Sequence, residues 1–120
     1  MCSAVEMSSP VEAVQAQVDA FNARDAAAFT ACYHPEATVV GPDGNVMVEG
    51  INAINALYAK LFAQSPDLHV NIPNRISIGD WVVDEEEASG FVFEGFPTDM
   101  HAAVVYRVSD GLIMRSQLLT

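Results

Sequence analysis

The apolar positions near the start of the chain recur with the period of an α-helix. The segment Ser9-Pro10-Val11-Glu12 suits a helix start, since serine can cap it, proline fits the first helical position and Glu12 can close a capping box. Apolar residues then return every three or four positions, which predicts a first helix over residues 10–23. Asp25 can cap a second, shorter helix, and an apolar stripe from Ile51 to Phe62 predicts a third.

The second half of the chain changes to a period of two, which is typical of β-strands. Turn residues such as Gly79-Asp80 separate the runs and predict hairpins. Pro73 lies inside one run and requires an edge position or a bulge, because proline cannot donate a backbone hydrogen bond. The predicted strands are Ala37–Val40, Val46–Glu49, Leu68–Ile78, Trp81 to about Phe93, Met100–Val108 and Leu112–Leu119.

This order of elements predicts an α+β fold with three helices and one sheet. A run of long hairpins must bury one face against the helices, and the proline and glycines within it imply bending. We therefore expect a curved antiparallel sheet, a half-barrel whose hollow is covered by helices, and such hollows commonly bind ligands. No linker or repeat divides the chain, so residues 9–120 are expected to form a single domain after a flexible N-terminal tail at residues 1–8.

The composition excludes several classes of partner. The 120 residues include 16 acids and 5 bases, for a net charge of −11, and this field repels phosphate, so neither nucleic acid nor a membrane is an expected partner. No apolar run approaches the ~18 residues that a membrane helix needs, and the first residues lack a secretory signal, so we expect a cytoplasmic protein. Cys2 and Cys32 show no metal-site spacing, and neither a metal nor a cofactor is expected.

Four stretches of the chain form a recognisable series: Val18–Asp25, Tyr33–Val39, Glu49–Ile54 and Tyr106–Ile113. In this order they resemble the nuclear transport factor 2-like superfamily, in its SnoaL-like and steroid-isomerase-like branch. The resemblance spans residues 10 to 119 and is specific for a fold rather than for a reaction.

The resemblance implies a cone-shaped α+β barrel, also called cystatin-like, that binds small apolar molecules and often dimerises through its convex sheet face. Steroid isomerases of this kind use a tyrosine on the first helix, an aspartate base after the first strand and a protonated aspartate on the penultimate strand. These positions correspond to Gln17, Gly41 and Val104 here. Gln17 can still donate a hydrogen bond, but the other two residues cannot carry a proton, so the isomerase mechanism does not transfer.

Alternation along the strands predicts which residues line the hollow. If Val104 faces inward, then Met100 and Tyr106 do so too, and the last strand contributes Met114. Any domain of this size also needs such residues simply as its core. The predicted ligand-binding residues are Gln17, Phe21, Phe29, Tyr33, Val40, Tyr58, Met100, Val104, Tyr106 and Met114.

The run Asp84-Glu85-Glu86-Glu87 supplies the candidate catalytic acids. In a strand two of the four must face each way, so Asp84 and Glu86 share one face and could enter the hollow as acids with raised pKa values. The alternative is a solvated sheet edge whose charges discourage strand-to-strand aggregation.

Two functional hypotheses follow. In the first, the chain is a protein that binds a small apolar or carbonyl-bearing molecule, or an isomerase- or cyclase-like enzyme. In the second, it is a non-catalytic module for dimerisation or protein interaction. A homodimer is expected in either case, because Val105, Ile113 and Leu119 would leave the convex face partly apolar.

Overall fold

A computed structural model describes residues 9–120, and the tail predicted for residues 1–8 lies outside the described residues. Within the described part the chain forms three α-helices and six β-strands. Their bounds are α1 (Pro10–Asn22), α2 (Ala26–Thr30), β1 (Tyr33–Val40), β2 (Val46–Glu49), α3 (Ile51–Gln64), β3 (His69–Ile78), β4 (Trp81–Ser89), β5 (Met100–Ser109) and β6 (Leu112–Leu119).

Helix α1 begins with the predicted capping box. The backbone nitrogen of Glu12 donates to the Ser9 hydroxyl at 3.2 Å, and the Ser9 backbone nitrogen donates to the Glu12 carboxylate at 3.0 Å. Asp25 caps α2 in the same manner, accepting from the Ala28 nitrogen at 3.0 Å. Each cap satisfies a helix-end donor that has no partner within the helix.

The six strands form one curved, unclosed sheet in the order β2-β1-β6-β5-β4-β3, which confirms the predicted fold class. The hairpin-linked pairs are antiparallel, but β1 and β6 pair in parallel. The sheet is therefore mixed. No turn could have indicated this pairing, because the two strands lie at opposite ends of the sequence.

Irregularities in strand register occur in four of the five strand pairs and bend the sheet, and two of them bear on the predicted positions. In β3 the register shifts between Asn71 and Asn74, the stretch that contains Pro73, so the predicted bulge is present and lies on an edge strand. Between β5 and β6 the register shifts at Arg107 and Val108. Each extra residue has no partner on the neighbouring strand and increases the local twist. The sheet therefore curves around the helices.

Helices α1 and α3 cover the concave face of the sheet. Val14 and Val18 of α1 and Ile54 of α3 are buried in the same core as Val82 of β4. The Asn22 side chain ties the end of α1 to edge strand β3, donating to the Val70 carbonyl at 3.0 Å and accepting from its nitrogen at 2.8 Å. Among the described residues, no helix has the length and apolarity needed to cross a bilayer.

Strand β4 ends four residues earlier than predicted, and residues 90–99 form a loop instead. Gly90 has a φ of +71°, which turns the chain out of the sheet. The Ser65 hydroxyl, just after α3, accepts from the Val92 nitrogen at 2.9 Å and donates to its carbonyl at 3.2 Å. The loop is thereby held beside the C-terminal end of α3.

Replacing Gly90 by alanine should destabilise the protein more than the same change at Gly79. Both glycines have positive φ, but a Cβ at Gly90 would clash with the Asp67 carbonyl, whereas one at Gly79 meets no atom within 4 Å. We expect a loss of about 1 kcal/mol for Gly79→Ala from backbone strain alone, and at least about 3 kcal/mol for Gly90→Ala. Urea unfolding measures both, and equal losses would contradict the account.

Candidate functional site

A mostly apolar cavity of about 110 Å³ lies between the concave face of the sheet, helices α1 and α3, and the loop at residues 90–99. Besides the residues discussed below, its walls include Val18, Val39, Met47, Leu57, Leu61, Val70, Ala88, Ser116 and Leu118.

All of the predicted lining residues except Met114 line this cavity: Gln17, Phe21, Phe29, Tyr33, Val40, Tyr58, Met100, Val104 and Tyr106. The prediction for Met114 is wrong because the register shift at Arg107 and Val108 interrupts the alternation. Ile113 pairs with Val108 and is completely buried in the core, so its expected place on the convex face is also wrong.

Three phenylalanines of the 90–99 loop also line the cavity, and strand alternation did not predict them. Phe91, Phe93 and Phe96 contact one another with ring centroids 5.6 to 6.3 Å apart. The signal that could have indicated them is the pair Gly90 and Gly95, which brackets the rings and is more typical of a loop than of a strand.

The two candidate acids of β4 both turn toward the concave side. Asp84 lies opposite Val104 and Glu86 opposite Ala102 on β5. Strand β4 is an interior strand, so the solvated-edge interpretation of its charges is wrong. The outward member Glu85 accepts a hydrogen bond from Asn74 on β3 and contacts His101 on β5. The Asn74 bond, followed by the His101 contact, lowers the pKa of Glu85, and the same contact raises that of His101.

Asp84 is completely buried and forms an ion pair with Arg75 of β3 instead of lining the cavity. The Arg75 Nε lies 2.6 Å from Oδ1 and its Nη2 lies 2.9 Å from Oδ2, which is the two-pronged geometry that suits guanidinium and carboxylate. Both carboxylate oxygens are occupied, and Asp84 is not part of the cavity wall. This geometry leaves Asp84 no direct access to a ligand.

Glu86 does reach the cavity, and it is the only charged residue among the described residues that line it. The Tyr106 hydroxyl donates to its Oε2 at 3.3 Å. Desolvation, followed by the negative charge of Asp84, raises the pKa of Glu86 to about 7, although the Tyr106 bond and the Arg75 charge act in the opposite direction. Glu86 can therefore gain or lose a proton near neutral pH.

A directed chain of hydrogen bonds leads from α1 and β1 to Glu86. The Tyr33 hydroxyl donates to the Gln17 Oε1 at 3.0 Å, and the Gln17 Nε2 donates to the Tyr106 hydroxyl oxygen at 3.4 Å. Burial raises the pKa of both Tyr33 and Tyr106 well above the ordinary value of tyrosine, so both remain neutral donors at neutral pH.

Chemically, the site combines one proton acceptor with neutral hydroxyl donors in an apolar enclosure. The positions corresponding to steroid-isomerase acids contribute nothing ionisable, since Val104 is apolar and Gly41 lies outside the cavity wall. The acid comes instead from the neighbouring strand. Within residues 9–120, no group of three or more histidine, cysteine, aspartate or glutamate side chains is arranged to hold a metal ion.

Comparison with known proteins identifies the family. The sequence model of the SnoaL-like domain matches residues 14–116. The chain belongs to the SnoaL-like domain family. This confirms the resemblance to the nuclear transport factor 2-like superfamily, whereas no curated protein sequence matches the chain significantly.

Solved structures share the fold of this SnoaL-like protein at low sequence identity. An uncharacterized cystatin-fold protein from Novosphingobium aromaticivorans is 23% identical, with a TM-score of 0.84 over 94% of this chain and 99% of that one. TerC, co-crystallised with polyporic acid, is 20% identical, with a TM-score of 0.77 over 93% of this chain and 91% of that one. A protein from Jannaschia described as a SnoaL-like polyketide cyclase is 22% identical, with a TM-score of 0.74 over 92% of this chain and 83% of that one. Identities this low show the fold alone.

The raised pKa of Glu86 should make the stability of the protein depend on pH. The folded state binds this proton more tightly than the unfolded state, so the contribution is complete below the ordinary pKa of 4.5 and is lost as pH rises through about 7. Relative to Glu86→Gln, the wild type should lose on the order of 3 kcal/mol of unfolding free energy between about pH 4 and about pH 8.

Urea unfolding of both proteins at the two pH values measures this loss. Glu87→Gln is the matched control, because Glu87 is exposed on the opposite face of the same strand. A difference between wild type and Glu86→Gln that does not change with pH would show that Glu86 titrates normally.

Proposed function

We propose that this SnoaL-like protein binds a small apolar carbonyl compound and catalyses isomerase- or cyclase-type proton transfer with Glu86 as general base. The observation that carries the proposal is the position of Glu86, the one charged residue on the described cavity wall, together with its pKa of about 7. A base is most effective when its pKa lies near the working pH. The structural neighbour from Jannaschia, by its description as a polyketide cyclase, supports the same class of chemistry.

In the proposed reaction, Glu86 removes a proton from the carbon next to the substrate carbonyl. The electron pair of the broken C–H bond moves into the carbon skeleton, and negative charge develops on the carbonyl oxygen. A buried enolate needs a hydrogen-bond donor, and donors aimed at the developing charge account for much of the rate of such enzymes.

Tyr106 can supply that donor because its hydroxyl responds to the charge of Glu86. While Glu86 is ionised, the hydroxyl donates to it at 3.3 Å. Once Glu86 has accepted the proton, its carboxylate charge is gone and the Tyr106 hydroxyl is released to donate to the enolate oxygen. Gln17 still donates to the Tyr106 oxygen and holds the ring in place. Proton removal and enolate stabilisation are thereby coupled through one hydrogen bond.

The dimensions of the cavity favour a compact, ring-sized substrate. Its volume of about 110 Å³ is of the order of the ~150 Å³ engineered cavity that binds benzene. The phenylalanines of the 90–99 loop and Tyr58 on α3 supply flat apolar surfaces for a ring. TerC, a structural neighbour, was crystallised with polyporic acid, which supports an organic ligand for this fold.

Replacing Glu86 by glutamine should abolish general-base catalysis without removing the cavity. The test is deuterium exchange at the C–H groups beside the carbonyl of α-tetralone, a small enolisable ketone, followed by NMR. We expect Glu86→Gln to slow the exchange by about 10²- to 10⁴-fold and Tyr106→Phe by about 10²-fold. The control Glu87→Gln should exchange at the wild-type rate, and a wild-type rate no faster than that of Glu86→Gln would refute the base role.

A second role, self-association, is favoured by the convex face of the sheet. Ile76, Ile78 and Trp81 are 57%, 71% and 43% exposed and lie together where β3 pairs with β4. Leu119 on β6 adds to this face. Exposed apolar surface of this kind marks interaction sites, so we propose that two copies of the chain pair through it, whether or not the cavity is catalytic.

Introducing a charge into this patch should separate the two copies. Ile78→Glu should convert a dimer into a monomer in sedimentation velocity experiments, because burying an unpaired carboxylate in the interface is unfavourable. Val92→Glu is the control, since Val92 is similarly exposed but lies in the 90–99 loop, away from the convex face. A wild-type protein that sediments as a monomer would contradict the proposed dimer.

A further inference from the structure

We infer that Arg75 and Asp84 are positioning residues that set how readily Glu86 accepts a proton. The catalytic consequence rests on the proposed function, whereas the charge effect itself does not require any reaction. Asp84 and Glu86 are two positions apart on β4 and face the same side, so their Cα atoms are about 7 Å apart. Asp84 is completely buried, and water therefore cannot screen its charge effectively.

Arg75 is held in place beside Asp84 by several hydrogen bonds. Its guanidinium is fixed by both oxygens of Asp84 and by Gln15 of α1, whose Oε1 accepts from Nη1 at 2.8 Å. Gln15 is itself oriented by the Asp19 carboxylate, to which its Nε2 donates at 2.9 Å. Each of the three guanidinium nitrogens therefore donates to Asp84 or Gln15, and none of these bonds goes to Glu86.

The two charges of the pair act on Glu86 with unequal strength. Asp84 is two positions from Glu86 on the same strand, whereas Arg75 lies on the neighbouring strand β3, opposite Asp84 rather than opposite Glu86. The nearer negative charge disfavours the ionised form of Glu86 more than the positive charge favours it, in agreement with the order of these two effects on the pKa of Glu86. The pair therefore adds to desolvation in keeping Glu86 a competent base.

No other element brings a charge to this group within the described residues. The other titratable groups that face Glu86 are Tyr106 on β5, Tyr33 on β1 and Tyr58 on α3, and burial raises the pKa of each. They stay neutral wherever Glu86 titrates. A change in the charge of the Arg75–Asp84 pair should therefore shift the pKa of Glu86 without a compensating change in the charge of these tyrosines.

The test is a carboxyl-carbon NMR titration of Glu86 in the full chain, without substrate. Asp84→Asn leaves the arginine uncompensated and should lower the pKa of Glu86 by about one unit or more. Arg75→Gln removes the positive charge that opposes the effect of Asp84 and should raise the pKa of Glu86. A merely structural role would not move the pKa in opposite directions, so the opposed shifts are the signature expected from the inference.

Further variants keep the test decisive if a single substitution prevents folding. Arg75→Lys retains the positive charge and should shift Glu86 less than Arg75→Gln does, and the double variant Arg75→Gln/Asp84→Asn replaces the ion pair by an uncharged pair. Glu85→Gln is the control, because Glu85 faces outward beside His101 and should leave Glu86 unchanged. Equal pKa values in wild type and Asp84→Asn, or shifts of the same sign in Asp84→Asn and Arg75→Gln, would overturn the inference.

The titration also separates this inference from the proposed reaction. If the opposed pKa shifts are observed but neither the wild type nor any variant catalyses deuterium exchange into α-tetralone, the charge coupling is confirmed and the base role of Glu86 is refuted. If both hold, the acidic limb of the pH–rate profile should move with the measured pKa of Glu86 in each variant. An acidic limb that stays fixed while the pKa moves would show that the pair does not act on the reaction through Glu86.

Discussion

The concave face of the sheet must bury polar side chains under helices, and each of those side chains needs a hydrogen-bond partner there. Gln17 of α1 meets this requirement at the centre, because its amide accepts from Tyr33 and donates to Tyr106. Unpaired, such groups would cost about 1–3 kcal/mol each. Among the described residues, no buried side-chain nitrogen or oxygen is left without a partner. The network thus fixes α1 over the sheet and orients the hydroxyl beside Glu86.

The same enclosure accounts for both the stability and the chemistry of the site. A carboxyl group on an apolar wall destabilises the fold when it is ionised, and this cost is what gives Glu86 its affinity for a proton. Asp84, two positions away, avoids the cost by pairing with Arg75. Strand β4 therefore carries one acid that is paired with a guanidinium, Asp84, and one acid that faces the cavity without a cationic partner, Glu86. A carboxyl group whose pKa is raised by its surroundings, as that of Glu86 is, is typical of general acid–base chemistry.

Strand alternation predicted the part of the cavity wall that β5 supplies, Met100, Val104 and Tyr106, since a period of two needs only one correct residue to orient a whole strand. It oriented Asp84 and Glu86 correctly toward the concave side, but it failed at Met114, where a bulge inserts one residue. The pairing of Asp84 with Arg75 was not predicted, although the predicted hairpin turn at Gly79-Asp80 sets the register that places these two residues opposite each other. The first part of the 90–99 loop was also missed, since Phe91 and Phe93 alternate as in a strand and only Gly90 ends the pattern before them.

The central claim is that the cavity accepts a ring bearing an enolate-like oxygen between Tyr106 and Glu86. A crystal structure of the protein with a bound phenol, whose flat ring and attached oxygen mimic the shape of an enol, tests it most directly. The account predicts the phenol ring among the phenylalanines of the 90–99 loop, with its oxygen within hydrogen-bond distance of the Tyr106 hydroxyl and the Glu86 carboxyl group. A phenol bound only outside the cavity, or a cavity filled by its own side chains at saturating phenol, would contradict it.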